Sequence, residues 1–168
     1  QSATRTNATH GSAGAYPRHV TNSWNGYPTL YFDGTNDCLR IYNMSNSFPV
    51  AATLFVAFSI PTNADEPNGD GYYCVFETKE NDSWWLFNST VSYFGTYRST
   101  RMQSYSPMPA MGSHIYTIRS SGSAWQMWSN SIAHTSAPAA FNPGDDYYIG
   151  SDVGADKPLR GHIAEIIA

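Results

Sequence analysis

Charged side chains are scarce in this chain of 168 residues, in which Asp, Glu, Lys and Arg together make up 13%. That is about half the usual share of a soluble domain, so Ser, Thr, Asn, Gly and Tyr must form most of the surface. The nine Lys and Arg residues are scattered singly, and the net charge is −4. Because no basic patch is present to neutralise a phosphate backbone, the composition argues against nucleic-acid binding.

Cysteines and long apolar runs are also few. Cys38 and Cys74 could form one bridge if they fall on neighbouring strands, or act as two small buried apolar residues. The longest apolar run, residues 50–60, is much shorter than the roughly 20 residues of a membrane-spanning helix, so membrane insertion is not expected. The chain starts at Gln1 without a Met and stops at Ala168 after an apolar run. These ends indicate a processed chain or a piece of a larger protein.

Short β-strands are predicted along most of the chain. The continuous apolar character of residues 51–60 predicts a central strand that is buried on both faces. A Gly-containing connection between residues 114–120 and 124–129 predicts a hairpin. Residues 1–28 are predicted to form a loop-rich lead-in with at most one short strand, and residues 104–112 break the strand pattern. Strands are predicted at residues 29–33, 38–42, 51–60, 72–78, 83–87, 91–98, 114–120, 124–129, 147–151 and 162–167.

The spacing of these strands predicts one all-β domain over residues 1–168, a two-sheet antiparallel jelly-roll sandwich. Phe32 is expected in its core. The residues that follow Phe32 favour a tight turn, because Gly accepts positive φ and Asp or Asn side chains bond nearby amides. A calcium-binding turn is the alternative, since calcium prefers clustered oxygen ligands. The turn residues are Asp33, Gly34, Asn36 and Asp37.

Three segments carry a family resemblance. Residues 25–39 (NGYPTLYFDGTNDCL) contain F-D-G-x-x-D, and residues 147–167 (YYIGSDVGADKPLRGHIAEII) contain I-G followed by G-x-I-A-E-I. Residues 115–131 (IYTIRSSGSAWQMWSNS) form a hairpin pattern in which Asn130-Ser131 stands where Gly is often found. These segments resemble the laminin-G-like and concanavalin A-like jelly-roll modules of phage and bacterial surface proteins.

The resemblance implies a non-catalytic binding or display module that works extracellularly or on a virion surface. Such a module would recognise a glycan or a neighbouring structural protein through its rim loops. As part of a larger assembly, it could also form a homo-oligomer. A purely structural virion decoration or fibre domain is one alternative. A polysaccharide-active enzyme is another, because some glycosidases and polysaccharide lyases share the jelly roll.

Catalytic patterns give the enzyme alternative little support. The sequence contains no G-x-S-x-G, C-x-x-C or H-E-x-x-H, which are recurrent nucleophile and metal motifs. Glu77 and Glu80 are three residues apart, so on one strand they would face opposite sides, and both are expected to be solvated strand-end acids. His114 and His162 begin predicted strands and are expected at the surface or at a strand edge.

Two sets of residues are candidates for binding. Aromatic faces stack on pyranose rings, although any one Trp could instead fill the core. The glycan candidates are Trp84, Trp85, Tyr93, Tyr97, Trp125 and Trp128. Clustered carboxylates at a jelly-roll rim offer the hard oxygen ligands that calcium prefers, although an ordinary acidic turn would look the same. Calcium is the one cofactor that the sequence suggests. Its candidate ligands are Asp145, Asp146, Asp152 and Asp156.

Overall fold

A computed structural model describes residues 15–42, 53–60, 72–78, 82–87, 93–98, 100–101, 104–105, 112–121, 125–133, 146–154 and 157–167. All regular elements in these ranges are β-strands. They are β1 (Arg18–Trp24), β2 (Tyr27–Asp33), β3 (Leu39–Ile41), β4 (Thr53–Ile60), β5 (Tyr72–Thr78), β6 (Asp82–Phe87), β7 (Tyr93–Arg98), β8 (Thr100–Arg101), β9 (Ser104–Tyr105), β10 (Gly112–Ser120), β11 (Trp125–Ser129), β12 (Ile132–Ala133), β13 (Tyr147–Ile149) and β14 (Arg160–Ile167).

The strands form two antiparallel sheets. Sheet 1 has the order β1-β2-β14-β4-β10-β11-β12. Sheet 2 has the order β3-β13-β5-β6-β7-β8, with β9 paired to β7. The molecule is therefore an all-β antiparallel jelly-roll sandwich, as the strand spacing predicted. Within the described ranges, no helix has the length and apolar character needed to cross a membrane.

The core lies between the two sheets and draws apolar side chains from both. In β4, Leu54, Val56, Phe58 and Ile60 are buried and alternate with less buried residues. This alternation follows from the pleat, which sends successive side chains to opposite faces. The core also includes Phe32, Tyr73, Val75, Phe76, Tyr116, Ile118, Met127, Tyr147, Ile149, Leu159 and Ile163.

The residues after Phe32 form the tight turn that the sequence predicted. The amide of Thr35 donates to Asp33 Oδ1 at 2.7 Å, and the amide of Asp33 donates to Asp37 Oδ2 at 2.8 Å. Gly34 has φ +81°, a conformation that glycine adopts without steric cost. The two carboxylates therefore bond the backbone of their own turn.

The close fit of Phe32 in the core depends on a glycine on the other sheet. Gly150, directly after β13, has φ +79°, and a Cβ there would lie 2.0 Å from the Phe32 ring. Only glycine therefore lets the chain pass this close to Phe32. This contact joins two of the three segments that carry the family resemblance, residues 25–39 and 147–167.

Three sequence-based predictions about the strands and their buried residues were wrong. β4 is central, but its outer face is not buried, since Phe55 is 43% exposed. Residues 104–112 do not simply break the strand pattern, because they include β9 and the start of β10. His114 is not at the surface. β10 begins at Gly112, two residues earlier than predicted, and its pleat turns His114 into the core beside Phe58 and Tyr116.

Candidate functional site

The outer face of sheet 1 carries an open pocket of about 510 Å³, which we call the Trp128 pocket. It is lined by Thr53, Phe55, Ile115, Thr117, Arg119, Trp128, Asn130 and Ser131. These residues come from three adjacent strands, β4, β10 and β11, and from the turn that follows β11. The pocket therefore lies on the hydrogen-bonded surface of three neighbouring strands, and the pairing of these strands fixes the positions of its residues.

The register of the sheet brings the pocket residues together. Phe55, Thr117 and Trp128 are consecutive partners across β4, β10 and β11. Directly opposite residues share a face and lie about 4.5 to 5.5 Å apart at Cβ. Trp128 is half-buried, and Phe55 and Ile115 are exposed. The pocket is thus an aromatic and aliphatic surface that solvent reaches.

Polar groups surround this apolar surface. Five of the lining residues have polar side chains: Thr53, Thr117, Arg119, Asn130 and Ser131. An apolar platform with a few convergent polar groups is the usual composition of a small-molecule site. The set suits a ligand that has one apolar face and many hydroxyls.

The turn between β11 and β12 holds one side of the pocket in place. Asn130 and Ser131 have φ +46° and +71°, as in a type I′ hairpin turn, which matches the right-handed twist of the strands. Asn130 Oδ1 accepts the amide of Ile115 at 2.8 Å, and the Asn130 amide donates to the Ile115 carbonyl at 2.9 Å. The turn is therefore bonded to β10 by both its side chain and its backbone.

The structure separates the six predicted glycan residues. Trp84, Trp85, Tyr93 and Tyr97 lie on β6 and β7 of sheet 2, whereas Trp125 and Trp128 lie on β11 of sheet 1. The side chain of Trp128 is described and lines the pocket. The side chains of the other five lie outside the described part of the structure, so their role in glycan binding stays a prediction.

Sequence reasoning did not identify the partners of Trp128. Phe55 was assigned to a doubly buried strand, and Arg119 was not singled out. The alternation of residues 115, 117 and 119 along β10 was a usable signal, because it places all three on one face. Rim loops were expected to form the site, whereas the Trp128 pocket lies on a sheet face and one hairpin turn.

The predicted calcium residues are only partly visible. Asp145 and Asp156 lie outside the described residues. Asp146 is buried and forms an ion pair with Arg40, whose guanidinium also lies 4.2 Å from the centre of the Tyr42 ring. Asp152 Oδ1 accepts the amide of Lys157 at 3.2 Å. No group of three or more His, Cys, Asp or Glu among the described residues is arranged to hold a metal ion.

The predicted acid pair is also only partly visible, since Glu80 lies outside the described residues. Glu77 is 2% exposed, and its carboxylate accepts a hydrogen bond from the amide of Val153. The expectation of a solvated acid was therefore wrong for Glu77. Its position in β5, flanked by β13 and β6, places the carboxylate where it fixes the turn after β13.

The two cysteines do not lie on neighbouring strands. Cys38 directly precedes β3 and Cys74 lies in β5, with β13 between them, and both thiols are free. Burial raises the pKa of the Cys38 thiol to about 11, and burial raises the pKa of Cys74 well above its usual value. Both thiols are thus protonated at neutral pH.

A cluster of polar and aromatic side chains around His162 lies on the outer face of sheet 1, away from the Trp128 pocket. His162 Nδ1 lies 2.9 Å from Thr29 Oγ1 and 3.1 Å from Ser23 Oγ, and its ring centre is 4.9 Å from that of Tyr31. Arg18 lies over Tyr31, 5.4 Å from the ring centre. The pKa of His162 is lowered mainly by burial and, to a smaller extent, by electrostatic repulsion from Arg18.

Comparison with known proteins identifies the fold. No family model and no curated protein matches this sequence. Domain 4 of AbnA, a GH43 extracellular arabinanase from Geobacillus stearothermophilus in complex with arabinotriose, has a TM-score of 0.66 at 11% identity, covering 93% of this chain and 76% of that chain. The Ruminococcus gnavus IT-sialidase CBM40, bound to α2,3 sialyllactose, has a TM-score of 0.57 at 10% identity, covering 82% and 87%.

Two domains of a laminin chain are also similar in structure to this chain. Domains LG4–5 of the mouse laminin α1 chain have a TM-score of 0.54 at 11% identity, and the match covers 89% of this chain and 40% of that chain. At these identities the likeness concerns the fold alone. The chain has the laminin-G-like, concanavalin A-like jelly-roll fold that its sequence resembled.

Proposed function

We propose that this chain is a non-catalytic carbohydrate-binding module that holds a glycan in the Trp128 pocket. The observation that carries the proposal is the half-buried Trp128 in an open pocket whose other lining residues include Thr, Ser, Asn and Arg. A pyranose ring has an apolar face that packs on an aromatic side chain and hydroxyls that bond such polar groups.

The structural neighbours are consistent with this proposal. Two of them are in complex with a glycan, arabinotriose in one case and α2,3 sialyllactose in the other. On this proposal the module works outside the cell or on a virion surface, where it meets polysaccharides. The enzyme alternative is less favoured, because the carboxylate of Glu77 is buried and bonds a backbone amide.

A glycan array tests the proposal with two variants. We expect the wild-type protein to bind a defined set of glycans, and we expect Trp128→Ala to weaken that binding by at least about tenfold. Tyr27→Ala is the matched control, because Tyr27 is an aromatic side chain that is 71% exposed on β2 of the same sheet. Equal loss in both variants, or binding that survives Trp128→Ala, contradicts the proposed site.

A second candidate function is contact with a neighbouring protein, as in a virion decoration or fibre domain. Three exposed apolar side chains favour it: Phe55, Ile115 and Ile167, which are 43%, 54% and 50% exposed. Ile167 and Phe55 are register partners, so they continue the apolar surface of the Trp128 pocket onto β14. Light scattering over a range of protein concentrations tests whether this face joins copies of the chain, and Phe55→Ser would then abolish the association.

A further inference from the structure

We infer that the Trp128 pocket selects a glycan that carries a carboxylate, with Arg119 as the partner of that carboxylate. This inference rests on the proposed glycan-binding function and names the ligand class of the same site. Arg119 is the one charged residue among the eight that line the pocket, and all eight are described. The pocket therefore has a positive charge on a chain whose net charge is −4.

The sheet register sets the spacing between the platform and the charge. Trp128 lies opposite Thr117, and Arg119 is two residues further along β10. Such diagonal neighbours are about 7 to 8 Å apart across an antiparallel pair. A sugar ring stacked on Trp128 thus places a substituent of its edge within reach of the long Arg119 side chain.

Arg119 is available for a ligand. It is exposed, and no ion pair joins it to a carboxylate within the described part of the chain. On the outer face of sheet 1, Glu165 lies opposite Ala57, whereas Arg119 lies opposite Thr53. Four residues along β4 separate these positions by about 13 Å. Glu165 therefore does not neutralise Arg119 at the pocket.

The chemistry of the site favours a carboxylate over a densely sulfated chain. A guanidinium presents a planar pair of N–H donors that matches the two oxygens of one carboxylate. A polysulfated chain carries many charges and needs several cations, whereas this pocket offers one. The net negative charge of the chain would also repel a polyanion beyond the immediate contact. Sugars of the uronic acid and sialic acid types both carry the required group.

Two matched pairs of probes test the inference by calorimetric titration. One pair is sialyllactose and its methyl ester, and the other is an oligogalacturonide and its methyl ester, so that in each pair the same backbone has lost its charge. We expect the charged member of at least one pair to bind about tenfold more tightly than its neutral partner, as a charge-assisted hydrogen bond would give. The pair that responds distinguishes the two sugar types.

The variants assign the preference to one side chain. Arg119→Gln should remove the preference, so that the charged and the neutral member of a pair bind with equal affinity, while Arg119→Lys should keep part of the preference. Arg18→Gln is the matched control, because it removes an exposed positive charge from the same face outside the pocket. Equal affinity within both pairs, or a preference that survives Arg119→Gln, overturns the inference while glycan binding itself stands. Absence of binding to all four probes and to the array overturns the proposed function as well.

Discussion

Asn130 and Ile115 exchange two hydrogen bonds, one from each backbone amide. The side-chain oxygen of Asn130 accepts from Ile115 at 2.8 Å, and the Asn130 amide donates to the Ile115 carbonyl at 2.9 Å. Asn130 does this with φ +46°, a conformation that Asn adopts more readily than most residues. One residue therefore sets both the turn after β11 and one wall of the Trp128 pocket.

Substitutions in this turn should change stability in opposite directions. Asn130→Ala loses the side-chain acceptor and places Ala at positive φ, so we expect a loss of about 1 to 2 kcal/mol in the free energy of unfolding. Ser131→Gly should raise stability slightly, because φ +71° suits glycine and Asn-Gly is a favoured pair for such turns. The relief of about 1 to 2 kcal/mol of left-handed strain exceeds the entropy cost of about 0.4 to 1 kcal/mol that glycine adds. Urea denaturation measures both, with Asn130→Asp as the control that keeps an acceptor. A loss of stability in Ser131→Gly would contradict the assigned turn.

Asp146 is predicted to act through Arg40 and not through a metal. Asp146→Asn removes the charge from an ion pair whose side chains are 7% and 27% exposed, so we expect a loss of about 1 to 2 kcal/mol, less than for a fully buried pair. Asp152→Asn keeps an oxygen for the Lys157 amide and should cost less than about 0.5 kcal/mol. Thermal melting with calcium and with a chelator measures both variants.

Calcium at the acidic turns stays a hypothesis that the same melting curves test. A bound ion raises the melting temperature, since it binds the folded state. We expect the loss caused by Asp146→Asn to be equal with calcium and with chelator. A loss that occurs only in the presence of calcium would instead make Asp146 a calcium ligand.

His162 should make stability depend on pH in the mildly acidic range. Its pKa is lowered in the folded state by burial and by Arg18, whereas the unfolded chain has a pKa of about 6.5. The unfolded state therefore binds the proton more readily, so this contribution is complete above about pH 6.5 and is lost as pH falls through the lower, folded pKa. The difference in unfolding free energy between the wild type and His162→Gln, measured from pH 5 to 8, should show this loss. A difference that is constant, or that grows toward low pH, contradicts it.

The strands and several turns could be predicted from the sequence for identifiable reasons. Alternation in residues 29–33 predicted a strand, and the cluster of turn residues after Phe32 predicted a tight turn. The structure confirms the strand, as part of β2, and the turn. The hairpin of β10 and β11 was predicted from its glycine-containing connection, and the two strands do pair. In each case, neighbours along the chain determine the structure.

The candidate site depended on information that the sequence pattern does not contain. Residues 51–60 are almost uniformly apolar, so their period could not show that Phe55 faces solvent. The proximity of Arg119 to Trp128 depends on the pairing register of two strands, and a shift of one residue would place one of them on the opposite face. Long-range register, and not residue type, assembles the Trp128 pocket.

Residue-specific NMR during a titration with a glycan that the array identifies tests the proposed site most directly. We predict that the largest shifts fall on the Trp128 indole and on the amides of Thr117, Arg119 and Ser131, with β6 and β7 little affected. The Trp128→Ala variant should lose these shifts at the same glycan concentration. Shifts confined to β6 and β7, around Trp84, Trp85, Tyr93 and Tyr97, would place the glycan on sheet 2 and contradict the Trp128 pocket as the binding site.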